Sequence, residues 1–381
     1  MAADGGGATG RVPTVLLVSD HGDTGGTRAY VQRMLRFYRG AGWPVLLLST
    51  RADVPLGDAD VSGVRQVALA EVLGPGAALR SAWAVRGHGL ERAAFARFAA
   101  ANGVSLVVAS VGTPGALLTA VQAGHPSLYI LHTYPHGRRA RLLGRLRFRH
   151  ALDNVTATIT VSDAARRELV RLWGLGAAAD RVSALHSTVG PVVDDDPRAD
   201  AIPDTVLALG HVERYKGPDV FVEMARVLAP RFVSARFVWA GDGSLMESCR
   251  ARVHELGLAD RVEFPGHVDD VSALYARTAV YVQPSRVESL GLALLDAGRH
   301  GVPSVVPAVG GMPELVADRV SGRVVPDVDA TALADAVGAL LSDQQERERL
   351  GRAARLRYAE DFSEAAWMAS MARLHERLIA L

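Results

Sequence analysis

The chain has 381 residues, which at about 150 per domain points to two domains or one large one. Apolar residues supply 49% of it and charged residues 22%, and 42 basic side chains against 41 acidic ones leave a net charge of +1, which argues against a nucleic-acid-binding surface. A single cysteine excludes an intramolecular disulfide and any Cys-rich zinc module.

The opening residues 1–10 (MAADGGGATG) lack the apolar stretch of a signal peptide and read as a disordered tail. Apolar runs such as Val15–Val18 and Val45–Leu48 are far shorter than the roughly 20 residues of a bilayer span, so a cytoplasmic enzyme is expected. From residue 12 onward short apolar runs alternate with helix-length segments. Strands are predicted at 12–18, 45–49, 105–109, 127–131 and 156–161, with helices over 28–40, 89–102 and 163–172. Nearly continuous apolar strands separated by helices indicate a parallel sheet covered on both faces. Residues 190–203 (GPVVDDDPRADAIP), with an acidic run and three prolines, have the composition of a linker. A second strand series follows at 206–209, 237–240, 262–264, 280–282 and 304–306, and residues 363–381 read as a closing helix. The predicted domains are 11–192 and 193–362, after the tail and before that helix.

In open parallel sheets ligands bind beyond the carboxyl ends of strands, so function is sought in the turns that follow them. The first turn, Ser19–Thr27, is glycine-rich and suits either an anion at a helix N-terminus or a plain tight turn. It is not G-x-G-x-x-G, and no P-loop motif occurs in the chain. The first turn of the second series, Gly210–Gly217 (GHVERYKG), holds Lys216, the one lysine among the 42 basic residues. A compact ammonium there suits a diphosphate, or it is a solvated surface group. In the third turn, Pro284–Asp296 (PSRVESLGLALLD), Glu288 is predicted at a helix entrance and Asp296 eight residues on, nearly on one helical face. A carboxylate among small apolar residues needs partners, such as sugar hydroxyls; the alternative is a charge complementing the helix dipole.

Three patterns together resemble the retaining glycosyltransferases of family four: G-x-x-x-x-x-K-G, then P-S-x-x-E-x-x-G with a later acid, then Gly310-Gly311-Met312-Pro313-Glu314. Gly241-Asp242-Gly243, Val262–Val268, Thr160–Arg167 and the closing helix fit the same pattern. The resemblance implies an α/β GT-B fold, two Rossmann-like parallel-sheet domains facing a central cleft, with the closing helix crossing back to the first domain. It implies sugar transfer from a nucleotide diphosphate, UDP or GDP, with retention at the anomeric carbon, no cofactor and no bound metal. By position, Lys216 would bind the donor diphosphate and Glu288 the donor sugar and phosphate. Ser289, Leu290 and Gly291 would complete a backbone phosphate cradle, and His267 and Val268 would read the base. Gly25 and Gly26 resemble glycines that face the diphosphate, and His132 the histidine beside the donor sugar, with His136 a competitor. Lys216, Glu288 and His132 are thus the expected catalytic residues.

Three positions depart from the family. His211 stands where an arginine is usual, so either the phosphate grip is weaker or Arg214 substitutes. Asp296 replaces a ribose-binding glutamate, and His186 falls where an Asn-Gly pair is common. Arg138, Arg141, Arg145 and Arg149 form a stripe in residues 138–150. It suits a phosphorylated acceptor, an anionic membrane surface contacted peripherally, or a plain solvated face. The expected acceptor is accordingly a small molecule, cyclitol, sugar or lipid. The rivals are a nucleotide-sugar 2-epimerase of the same architecture and a non-catalytic nucleotide-sugar-binding protein.

Overall fold

The structure, a computed structural model, describes residues 13–19, 26–49, 64–74, 89–110, 124–133, 155–174, 176–193 and 205–379. The chain divides into two compact units. One comprises Met1–Thr160, Arg166–Ala184 and Arg377–Leu381; the other comprises Val161–Ala165 and Leu185–Glu376.

In the first unit the elements run β1 (Thr14–Ser19), α1 (Gly26–Gly40), β2 (Val45–Ser49), β3 (Arg65–Val67), α2 (Leu69–Leu73), α3 (Gly89–Asn102), β4 (Val104–Ser110), β5 (Ser127–Leu131), β6 (Ala157–Thr160), α4 (Asp163–Trp173, whose first turn belongs to the second unit) and β7 (Val182–Ala184). The strands form one parallel sheet in the order β3-β2-β1-β4-β5-β6-β7. Central strands such as β1 (TVLLVS) and β5 (SLYIL) are buried along their whole length, as a strand covered on both faces must be.

The second unit repeats the plan. Its strands are β8 (Thr205–Leu209), β9 (Arg236–Ala240), β10 (Val262–Gly266), β11 (Thr278–Val282), β12 (Ser304–Pro307) and β13 (Gly322–Val325). Its helices are α5 (Pro218–Leu228), α6 (Met246–Glu255), α7 (Val271–Ala276), α8 (Leu292–Arg299), α9 (Met312–Leu315), α10 (Ala330–Ser342), α11 (Gln344–Arg357) and α12 (Glu364–Ile379, whose end from Arg377 belongs to the first unit). The parallel sheet has the order β10-β9-β8-β11-β12-β13. On one face Phe221, Trp239 and Phe264 form an aromatic cluster; the Trp239 and Phe264 rings stack at 6.4 Å.

The expected strands are all present. Three more, β3, β7 and β13, escaped the sequence pattern. Each is only three or four residues long and lies at a sheet edge, where one face or both need not be apolar; β3 is exposed at two of its three residues. In both sheets the strand order reverses around the first strand of the series, between β1 and β4 and between β8 and β11. Such a switch point leaves a crevice at the strand carboxyl ends, where ligands bind in this class of sheet.

Candidate active site

The turns after β8 and β11 flank the switch point of the second unit. The turn Gly210–Gly217 is anchored below: the buried Trp239 indole donates to the Gly210 carbonyl at 2.9 Å, and Val212 N–H donates to the Asp242 carbonyl at 2.9 Å. Glu213 accepts from the amide and the hydroxyl of Ser244, both at 2.8 Å, and these bonds hold its carboxyl below the usual range. The turn after β11 clasps it from the side. Arg286 N–H donates to the Tyr215 carbonyl, and the Arg286 guanidinium forks onto both Asp219 oxygens at 2.7 Å while also reaching the Arg214 carbonyl.

These two turns bring Lys216 and Glu288 together. Lys216 Nζ lies 2.6 Å from Glu288 Oε2, with the side chains 18% and 12% exposed. Lys216 is therefore neither a solvated surface group nor fully sunk. One of its three ammonium hydrogens meets Glu288, and two are left for an incoming anion. Gln283 Nε2 donates to the same Glu288 oxygen at 2.6 Å.

Glu288 does not sit on a helix, as the spacing to Asp296 had suggested. The helix α8 starts at Leu292, and its N-cap Gly291 has φ +106°, a left-handed conformation that a continuous right-handed helix cannot contain. The shared helical face of Glu288 and Asp296 is therefore corrected: Glu288 belongs to the loop and Asp296 to the helix. Asp296 Oδ1 accepts from Arg299 Nε at 2.6 Å, three residues along α8. Ser289 and Leu290 are buried between them. The Glu288 carbonyl, in turn, leaves room only for glycine at 310: with φ +55°, a Cβ on Gly310 would overlap that oxygen.

The remaining expected positions are placed less tightly. His211 and Arg214 are exposed, and Arg214 is among the residues lining a cavity of about 500 Å³ with Asp219, Ser248, Cys249 and Arg252, a wall that includes neither Lys216 nor Glu288. His267 is exposed; its N–H donates to Asp242 Oδ2 at 3.1 Å and its ring meets Asp269 at 3.3 Å, while Val268 is half-buried. Cys249 is buried, and burial pushes its thiol up to about 11.

In the first unit His132 follows β5. Its Nε2 lies 2.8 Å from the Ser110 hydroxyl at the end of β4, and the Tyr30 ring meets it edge-on at 4.8 Å. Burial pushes the imidazole down to about 4, so it is neutral at physiological pH. Gly26 is the first residue of α1. Gly25, His136 and the stripe Arg138, Arg141, Arg145 and Arg149 lie outside the described residues.

Sequence reasoning left His186 without a role and did not single out Gln283. His186 Nε2 pairs with Glu314 Oε2 at 2.8 Å, and its ring stands edge-on to Phe362. Glu314 also accepts from the backbone amides of Asp163 and Ala164, at 2.9 and 2.6 Å, and so caps the start of α4 from 150 residues away. Burial opposes the charge on Glu314, yet His186 and the two amides together hold its carboxyl below the usual range. No local signal marks such a contact.

Comparison with known proteins gives a consistent picture. The family described as Glycosyl transferases group 1 matches residues 194–357, and Glycosyltransferase Family 4 matches residues 24–189. Among curated relatives, the alpha-D-kanosaminyltransferase of Streptomyces kanamyceticus is 30% identical over 213 residues, 53% of this chain and 55% of that protein. The GDP-mannose-dependent alpha-(1-6)-phosphatidylinositol monomannoside mannosyltransferase of Mycobacterium tuberculosis is 34% identical over 160 residues, 40% of this chain and 42% of that protein. The chain thus spans about half the length of the curated relatives it matches. Among solved structures, Anabaena Alr3699/HepE in complex with UDP superposes with a TM-score of 0.77 at 19% identity, covering 97% of this chain and all of that one, a likeness of fold.

Proposed function

The chain belongs to the group 1 glycosyltransferases, with a family 4 amino-terminal half, and from that membership we propose that it transfers a sugar from a nucleotide diphosphate to an acceptor hydroxyl. The observation that carries the reading is the Lys216–Glu288 pair at the switch point, which combines a half-buried ammonium with a carboxylate that keeps an oxygen available. Developing negative charge on a leaving diphosphate is what a positioned, partly desolvated ammonium stabilises best. Glu288 Oε1 accepts a hydroxyl of the donor sugar, Asp296 serves the ribose, and the peptides of Ser289, Leu290 and Gly291 line the phosphates. His132, neutral, offers the donor sugar a hydrogen bond and no charge.

Transfer proceeds with retention. The bond from the anomeric carbon to the diphosphate breaks, the bond to the acceptor oxygen forms on the same face, and the acceptor proton passes to the departing phosphate oxygen. This route asks the protein for positioning and charge neutralisation and for no protein nucleophile. A UDP- or GDP-sugar is the donor class, in keeping with the UDP and GDP-mannose named for similar proteins. The acceptor is a small molecule, cyclitol, sugar or lipid.

The test is release of free UDP or GDP from UDP-glucose and GDP-mannose, with and without myo-inositol, an inositol phosphate, glucose 6-phosphate or phosphatidylinositol vesicles. Release that depends on an acceptor, with a product of retained anomeric configuration, is expected. Release without any glycoside product, or binding with no turnover across the panel, overturns the transferase reading.

A further inference from the structure

A carboxylate that must meet one particular sugar hydroxyl needs a fixed orientation, and the two donors on Glu288 supply it unequally. Lys216 reaches it on a flexible stem from an exposed turn. Gln283, by contrast, is 3% exposed and follows directly on β11. Both donors meet Oε2, each at 2.6 Å, which directs Oε1 away from them.

A buried amide could turn by 180° and present its oxygen to the carboxylate, an arrangement that repels. Tyr281 prevents it. Its hydroxyl donates to Gln283 Oε1 at 3.1 Å, which leaves Nε2 facing Glu288. Tyr281 is fully buried, and burial holds its phenol far above the usual value, so the proton that makes this bond is always present. Tyr281 and Gln283 are two residues apart on extended backbone and so share a face. Room for the amide comes from residue 291, where a Cβ would approach Gln283 Nε2 to 3.4 Å and the Leu294 side chain to 2.8 Å.

We infer that Gln283 is a positioning residue: oriented by Tyr281, it aims the free carboxylate oxygen of Glu288 at the donor sugar. The inference deepens the transferase reading and rests on it. The chain of contacts runs from Tyr281 on β11 through Gln283 to Glu288 and Lys216, so the interior of the sheet sets the geometry of the turns.

The experiment compares wild type with Gln283→Met, which keeps the volume and removes the donor, and with Gln283→Glu and Tyr281→Phe, all matched for melting temperature. In Gln283→Met, kcat falls roughly 10- to 100-fold, the scale of a lost hydrogen bond to a charged group. KM for the donor stays near wild type, because Lys216 still meets the diphosphate. Tyr281→Phe shows a smaller loss of the same kind. In Gln283→Glu the two facing carboxyls share one proton, so the donor is restored only as pH falls, and the activity optimum moves to acid. Crystal structures of wild type and Gln283→Met give an arm that needs no turnover, with Glu288 expected to leave its wild-type rotamer in the variant. Wild-type kcat in Gln283→Met, or an unchanged Glu288 rotamer there, overturns the positioning role. Absence of transfer by the wild type overturns the proposed function instead, and the rotamer comparison still decides the role of Gln283.

Discussion

Replacing Lys216 with alanine removes the one ammonium of the second unit's switch point and leaves Glu288 with Gln283 as its remaining donor. A unit charge about 4 Å from another is worth about 4 kcal/mol at an effective dielectric of 20. A charge-assisted hydrogen bond nets about 1.5–3 kcal/mol. Taking about 3 kcal/mol for the lost contact, affinity for a nucleoside diphosphate drops roughly 150-fold. At a ligand concentration of about 100 wild-type Kd, the wild type gains about 2.7 kcal/mol of stability and the variant about 0.3 kcal/mol. For a domain of this size each kcal/mol is about 2–4 °C, so a wild-type shift of roughly 8 °C shrinks to about 1 °C. The assay is a melting series against UDP, GDP, ADP, TDP and CMP with both proteins. One diphosphate is expected to stand out in the wild type alone. An equal shift in Lys216→Ala would refute the assignment of the ammonium to the diphosphate.

Two further outcomes follow from the titrating groups. Burial lowers the His132 imidazole to about 4, so between about 6.5 and 4 the unfolded chain binds a proton that the folded one does not. Stability therefore falls as pH drops through that window, by up to about 3 kcal/mol, and His132→Gln flattens the dependence; parallel melting curves for the two proteins between pH 4 and 7 would contradict this. Glu314 has a lowered folded value, so its contribution is present above the ordinary carboxylate range and is lost as pH falls through the folded value. Glu314→Gln is expected to cost about 1–2 kcal/mol at pH 7 in urea unfolding, a difference that narrows toward pH 4. A pH-independent difference would mean that the charge on Glu314 is not what caps α4.

Much of the second unit's candidate site was legible because its residues lie on turns at the ends of buried strands. A strand such as VLAL or VYV is uniformly apolar, and the turn after it must carry its polar groups somewhere, so Lys216 and Glu288 stood out against their surroundings. The order of residues carried the alternation of strands and helices, the glycine turns and the repeated plan of the chain, since these follow from local periodicity and backbone preference. It did not place Glu288 outside the helix, because Leu292–Arg299 begins only where Gly291 takes a left-handed conformation. Nor did it show the edge strands, too short to impose a period. Which polar groups meet follows from the folded chain. Lys216 and Glu288 are 72 residues apart, His186 and Glu314 are 128 apart, and Asp163 meets Glu314 across 151. Sheet order brings such pairs together, and hydrogen bonding selects among them through distances of tenths of an ångström, which sequence spacing does not encode.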